Sequence, residues 1–200
     1  MTAVDTLPAP DIGTAEDTMA WMMDTFLVAS GHTVLAVVTG KPVSHGGSLG
    51  RASATSRGVV YTSLAALRHV GCEATSATAA VQGFGKVGRG AARFLEEAGV
   101  RVVASSDQYV ASGPTTDWTF RRWRGTRTGG HRDSPAPSRS TKKALLALDV
   151  DLLVPAAVEG VLHAGNARSV RARVVVEGAN GPTTTEADRL LEEQGVLTGG

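Results

Sequence analysis

The sequence has few of the features that mark secreted and membrane proteins. It contains a single cysteine, Cys72, so an internal disulfide is excluded. No apolar run approaches the ~18 residues of a membrane-spanning helix, and the first residues lack the basic and apolar regions of a signal peptide. We therefore expect a cytoplasmic protein with no membrane partner. The length of 200 residues, 42% of them hydrophobic, is enough for one core or somewhat more.

Charge is unevenly distributed along the chain. The net charge is +1, yet residues 113–143 hold eight Lys/Arg against two acidic residues, so the remainder is mildly acidic. This basic stretch is also rich in Gly, Ser, Thr and Pro, which predicts a loop or a disordered segment. Arginines beside Trp123 could bind phosphate and stack on bases. A solvated loop is the better interpretation, and we predict no nucleic-acid partner.

Helical periodicity predicts two helices in the first third of the chain. Thr14 and Asp17 resemble a capping box at the start of the first helix. Its inward residues are predicted to be the apolar ones at helical spacing: Met19, Met22, Met23, Phe26 and Leu27. A second helix is predicted from about Thr55 to His69, with Gly71 as its C-cap.

The rest of the chain alternates between strand and helix signals. Residues 78–107 are typical of half a mononucleotide-binding fold, with strands at 78–82 and 100–105 on either side of a glycine turn and a helix. Apolar runs at 150–154 and 174–176 predict further strands covered on both faces. A last helix is predicted to begin at Thr184 or Thr185. We predict an α/β fold with a Rossmann-type, doubly wound parallel sheet.

The glycine turn carries the pattern G-x-G-x-x-G at Gly83, Gly85 and Gly88, between a predicted strand and a predicted helix. The first glycine permits the tight turn, the second lets the backbone approach a pyrophosphate, and the third lets helix and strand pack closely. The helix directs its free N–H groups at the phosphates. Asp107, nineteen residues beyond Gly88, is placed to accept hydrogen bonds from ribose hydroxyls and would repel a 2′-phosphate. The pattern predicts NAD or NADP as cofactor, with NAD preferred; a glycine-rich turn in another α/β protein is the alternative.

Six motifs occur in an order and spacing that can be compared with known families. They are PAPDIGT (8–14), TGKP (39–42), GGSLGR (46–51), VQGFGKVG (81–88), LVPAA (153–157) and EGANGPTT (177–184). Together they resemble the glutamate/leucine/phenylalanine/valine dehydrogenase family, most of all its glutamate-deaminating members. The resemblance implies that residues 1–52 are a remnant of the substrate domain and cleft, including a helical fragment. It also implies that residues 53–200 are the dinucleotide-binding domain, disrupted at 113–143 by a reading-frame excursion or a surface loop.

This resemblance implies an oxidoreductase that converts L-glutamate to 2-oxoglutarate and ammonia while hydride passes to NAD or NADP. The aspartate of PAPD, here Asp11, would be the catalytic carboxylate that moves protons; by pattern alone it would be a turn residue. Thr55 would meet the nicotinamide end of the cofactor, and Asn180 the nicotinamide ribose. The turn would bind the phosphates through Gly83, Phe84, Gly85, Lys86, Val87 and Gly88. No metal is implied.

The sequence departs from that family at two residues and at both ends. Lys86 replaces the asparagine that often follows GFG, and Ser56 stands where glycine or alanine is more usual. The family's catalytic lysine precedes PAPD, but only residues 1–7 precede Pro8 here, and a family segment is also missing after Gly200. We therefore expect this chain alone to bind substrate poorly. Family members are usually hexamers, and much of that assembly depends on the missing domain. The alternative function is a non-catalytic nucleotide-binding remnant.

Overall fold

The computed structural model describes residues 7–11, 13–106, 111–112 and 144–199. Asp107 and the basic stretch at 113–143 lie outside these residues, so the predictions made for them stay predictions. The chain divides into two compact units, which meet in sequence between Ala54 and Thr55.

The first unit is built on helix α1, Glu16–Ser30, followed by single 3-10 turns at Leu35–Val37 and Val43–His45. Met19 and Met23 are buried and pack with Val37 and Val38, as expected for the apolar stripe. The prediction for Met22 was wrong, because 43% of this residue is exposed. The predicted cap was also wrong: α1 begins after Ala15, whose N–H donates to the Thr18 hydroxyl (3.3 Å).

The second unit is an α/β fold. Helix α2 spans Arg51–His69 and so begins four residues earlier than predicted. Gly71, two residues after its end, has a φ of +72°. The remaining elements are β1 (Thr78–Gln82), α3 (Lys86–Glu97), β2 (Arg101–Ser106), β3 (Ala111–Ser112), β4 (Leu152–Pro155), α4 (Ala164–Ala167), β5 (Val174–Val176), α5 (Thr185–Glu193) and β6 (Leu197–Gly199).

The six strands form one sheet in the order β3-β2-β1-β4-β5-β6. All neighbouring strands are parallel except β3, which runs antiparallel to β2. The chain thus moves outward from β1 in one direction and then returns to continue from β4 in the other, which is the doubly wound arrangement. The predicted Rossmann-type fold is confirmed.

Both faces of the sheet are covered by apolar side chains. Ala79 and Val81 of β1 point to a core shared with α2 and α3. Ala80 between them, with Leu153 of β4, points to a second core shared with α4, α5 and the helical residues 144–146. Successive residues of a strand face opposite sides, so a sheet buried on both sides needs continuous apolar strands. That requirement explains the runs at residues 152–154 and 174–176.

A polar clamp joins the amino ends of three strands, at the edge opposite the glycine turn. The Asp151 carboxylate accepts hydrogen bonds from the Thr78 backbone N–H (2.8 Å) and hydroxyl (2.9 Å), across 73 residues of sequence. Arg173, just before β5, lies 3.5 Å from the same carboxylate and donates to the Val70 carbonyl (2.7 Å). These bonds fix where β1, β4 and β5 begin.

Candidate dinucleotide-binding site

The glycine turn lies at the carboxyl ends of β1 and β4, where the strand order reverses. The Ala156 N–H donates to the Gln82 carbonyl (2.6 Å), so the segment after β4 runs directly beside the turn after β1. In open α/β sheets the crevice outside the carboxyl ends of the strands, at this reversal, is where ligands bind. The fold therefore places the predicted motif at the expected position for a nucleotide.

Gly83 begins the turn in a conformation that only glycine adopts easily. Its φ is +94°, and a Cβ at this position would lie 2.5 Å from the Ala156 carbonyl oxygen and 2.7 Å from the Ala157 nitrogen. Any side chain would be strained by its backbone angles and would also collide with backbone atoms. The tight turn predicted for the first glycine is present.

Gly88 lies in the first turn of α3 and is buried. A Cβ there would collide with the Gly83 carbonyl oxygen and would lie 2.9 Å from the Gly83 carbonyl carbon. The helix therefore approaches the turn more closely than any residue other than glycine allows, as predicted for the third glycine of the motif.

Gly85 differs from Gly83 and Gly88, because a Cβ at this position would meet no atom of the described residues within 4 Å. It is the N-cap of α3, where no side chain accepts a hydrogen bond, and the first turn contains no acidic residue. Helix α5 differs: the Thr184 hydroxyl accepts from the Ala187 N–H (3.2 Å), and Glu186 and Asp188 occupy its first turn. At α3 the first N–H groups are left available to an anion, next to open space and the exposed Lys86.

Three loops meet at this edge of the sheet. Gly178, after β5, donates its N–H to the Pro155 carbonyl (2.9 Å), and a Cβ on it would lie 2.8 Å from the Ala156 Cβ. The loop that carries Asn180, which is exposed, is thereby placed beside the segment that contacts Gly83. Small residues at these positions let the backbones of the three loops approach one another.

The other predicted cofactor residues have different environments. Thr55 is exposed on α2. Phe84 and Val87 are partly buried and pack against the apolar core, so their contact with a ligand is expected through their backbone. The structure does not describe Asp107.

Sequence reasoning missed two residues of this edge. Ala156 contacts both the Gly83 turn and the Gly178 loop, and the only local signal for it is the small pair that ends LVPAA. Gln82 carries a buried Oε1 that has no hydrogen-bond partner among the described residues. This acceptor lies directly before the glycine turn.

Asp11, the predicted catalytic carboxylate, belongs to the first unit and is exposed. Its backbone is held in a turn by Thr14: the Asp11 N–H donates to the Thr14 hydroxyl (2.7 Å), and the Asp11 carbonyl accepts from the Thr14 N–H (3.0 Å). In the same unit the Lys41 ammonium donates to the Val38 carbonyl (2.9 Å). The catalytic role of Asp11 stays a prediction.

Two other site types were searched for within the described ranges. No group of three or more His, Cys, Asp or Glu residues there is arranged to hold a metal ion. No helix in that part of the chain is both long and apolar enough to cross a membrane.

Comparison with solved structures agrees with this geometry. The chain superposes on a hetero-hexameric glutamate dehydrogenase from Thermus thermophilus with a TM-score of 0.81 and 34% identity, covering 96% of this chain and 46% of that one. Against glutamate dehydrogenase from Peptoniphilus asaccharolyticus the TM-score is 0.71 at 32% identity, with coverage of 96% and 45%.

Comparison of sequences gives the same family. The chain is 49% identical over 196 residues to glutamate dehydrogenase of Thermotoga maritima, covering 96% of this chain and 47% of the relative. It is 45% identical to glutamate dehydrogenase B of Halobacterium salinarum, covering 95% and 45%. It thus spans about half the length of these relatives. The model of the glutamate/leucine/phenylalanine/valine dehydrogenase family matches residues 46–199, and the chain belongs to that family.

Proposed function

We propose that this chain provides the dinucleotide-binding part of an NAD(P)-dependent dehydrogenase that deaminates L-glutamate to 2-oxoglutarate and ammonia. The observation that carries the proposal is the uncapped start of α3 beside Gly85, at the reversal of strand order. The glutamate dehydrogenases among its relatives support the choice of substrate.

The residues of the turn fit a dinucleotide in distinct ways. The N–H groups of the first turn of α3 would donate to the pyrophosphate, and the absence of a side chain at Gly85 would let the phosphate oxygens come close. Lys86 would add a positive charge on the exposed side. The bound cofactor supplies the acceptor for the hydride that leaves the substrate Cα.

The other predicted residues would position the reacting end of the cofactor and choose its type. Thr55 and Asn180 would contact the nicotinamide and its ribose. Asp107, at the end of β2 in sequence, would accept hydrogen bonds from the adenosine ribose and disfavour a 2′-phosphate, which makes NAD the preferred cofactor.

We further propose that Asp11 is the general acid and base. Its carboxylate would take a proton as the imine forms and return one as water adds and ammonia leaves. Asp11 is exposed in its unit. In the family a lysine acts together with this carboxylate.

A second function, nucleotide binding without catalysis, is favoured by one observation. The chain spans about half the length of its relatives, and that half includes the glycine turn. In this case the second unit would bind the cofactor without turnover of a substrate.

The test combines binding with turnover. Calorimetric titration of the purified chain with NAD and with NADP measures affinity, and absorbance of reduced cofactor in the presence of L-glutamate measures deamination. Binding with turnover supports the dehydrogenase, and binding without turnover supports the second function. Absence of binding to both cofactors would refute both. Tighter binding of NADP than of NAD would contradict the role given to Asp107.

A further inference from the structure

A buried hydroxyl connects two helices of the second unit. Ser56 on α2 is 3% exposed, and its Oγ donates to the Val87 carbonyl in the first turn of α3 at 3.1 Å. The Lys86 carbonyl lies 3.5 Å from the same Oγ. Because this bond crosses 31 residues of sequence, it is a tertiary contact and not a feature of either helix alone.

The packing around Ser56 depends on a glycine of the other helix. A Cβ at Gly90 would collide with the Ser56 hydroxyl and would lie 2.7 Å from the Ser56 Cβ. The two helices therefore cross with Ser56 seated against bare backbone, one turn beyond the carbonyl that its hydroxyl reaches. That close approach is what allows so short a side chain to bond across the interface.

We infer that Ser56 is a positioning residue for the cofactor, an inference that rests on the proposed function. Thr55, the residue proposed to meet the nicotinamide end, directly precedes Ser56 on α2. The first turn of α3 is the group proposed to bind the pyrophosphate. The hydrogen bond from Ser56 to Val87 ties these two elements together, so it sets the spacing between the two ends of one bound dinucleotide.

This role makes a prediction that a purely structural role does not. If Ser56 sets the spacing between α2 and α3, loss of its hydroxyl should weaken the binding of a ligand that contacts both helices more than the binding of a ligand that contacts only one. NADH carries both the pyrophosphate and the nicotinamide, whereas ADP-ribose carries the pyrophosphate and both riboses but no nicotinamide. The informative quantity is therefore the ratio of the two dissociation constants.

The experiment measures Kd for NADH and for ADP-ribose by calorimetry on the full chain and on Ser56→Ala. We expect NADH to bind about three- to tenfold more weakly to the variant, the change associated with one net hydrogen bond, with a smaller change for ADP-ribose. The matched control is Ser63→Ala. Ser63 is buried on the same helix, but its hydroxyl donates to the Val59 carbonyl within α2 (2.7 Å) and does not bridge to α3 among the described residues, so both constants should stay at their wild-type values.

A second variant separates the hydrogen bond from the packing. In the double variant Ser56→Gly with Gly90→Ala, a methyl group is moved from α2 to α3 while the hydroxyl is lost. We expect the same weakened NADH binding as in Ser56→Ala. Wild-type affinity for NADH in either variant would overturn the inference while leaving the proposed function intact. An equal loss of affinity for NADH and for ADP-ribose would do the same. Failure of the wild-type chain to bind NADH would overturn both.

Discussion

The clamp at the amino ends of the strands predicts a specific loss of stability when its charge is removed. In Asp151→Asn the side chain keeps nearly its size, but the charge-assisted bonds from the Thr78 N–H and hydroxyl, at 2.8 and 2.9 Å, are weakened. Hydrogen bonds to a charged group contribute about 1.5–3 kcal/mol. Asp151 is 23% exposed, so solvent screens these bonds little, whereas Arg173 is 51% exposed and its ion pair adds little. We expect the free energy of unfolding to fall by about 1.5–3 kcal/mol at pH 7.

The pH dependence of this loss follows from the pKa of Asp151. Partial burial acts to raise that pKa, but the two hydrogen bonds from Thr78 and the charge of Arg173 outweigh it, and the pKa lies below its ordinary value. A carboxyl whose pKa is lowered by folding stabilises the fold above its unfolded pKa, and this contribution is lost as pH falls through the folded value. The difference between wild type and variant should therefore be constant near neutrality and should shrink below about pH 4.

Urea unfolding followed by circular dichroism, at several pH values, measures this difference. The control is Asp149→Asn, because Asp149 lies two residues earlier, is exposed, and should change stability by less than about 0.5 kcal/mol. A loss in Asp151→Asn no larger than that of the control, or a loss that grows as pH falls, would refute the reasoning.

Two further predictions concern the glycine turn and the proposed acid–base residue. Gly88→Ala forces α3 away from the Gly83 carbonyl, so we expect overpacking to lower the free energy of unfolding by about 1–3 kcal/mol and to weaken NADH binding. Urea denaturation measures the stability and calorimetric titration measures the NADH affinity. Wild-type stability together with wild-type affinity would contradict the close approach. Asp11→Asn should lower kcat for glutamate deamination by about 10²–10⁴-fold in the active assembly while Kd for the cofactor stays the same. Steady-state kinetics measures kcat, and an unchanged value would exclude Asp11 as the acid–base group.

Local sequence signals predicted the sheet well, for a physical reason. The bounds of β1 and β5 were predicted correctly because both are short apolar runs ended by turn residues. Gly71, predicted as the C-cap of α2, has a positive φ two residues after the helix ends, and of the two residues predicted to cap the last helix, Thr184 and Thr185, the structure has Thr184. The fold class follows from such signals because a covered parallel sheet demands them along the chain, whereas the family followed from the resemblance carried by six motifs.

Errors occurred where alternatives compete locally. Thr14 was predicted to cap α1, but its hydroxyl bonds the backbone of Asp11, so the helix begins later. The start of α2 was predicted too late because residues 52–54 are small and include no large apolar side chain at helical spacing. Met22 lies at the edge of the apolar stripe of α1, and helical spacing alone does not show which edge of the stripe is buried.

Contacts between distant residues were beyond any local pattern. The bond from Ser56 to Val87, and the contact of Gly83 with Ala156, join segments that only the folded sheet brings together. The motif predicted a tight turn and a close helix approach at Gly83 and Gly88, and the structure identifies the atoms that leave no room for a side chain at these two positions.

The central claim, that the uncapped start of α3 binds the pyrophosphate of a dinucleotide, is tested most directly at Gly85. Gly85→Ser adds a side chain in open space at a backbone angle of φ −71°, and a serine N-cap satisfies the N–H groups that the phosphate would use. Gly58→Ser, also in open space but on α2, is the control. Titration with NADH, followed by its fluorescence, should show binding at least about tenfold weaker for Gly85→Ser, equivalent to about 1.4 kcal/mol, with an unchanged melting temperature and normal binding by the control. Equal NADH affinity in all three proteins would contradict the account.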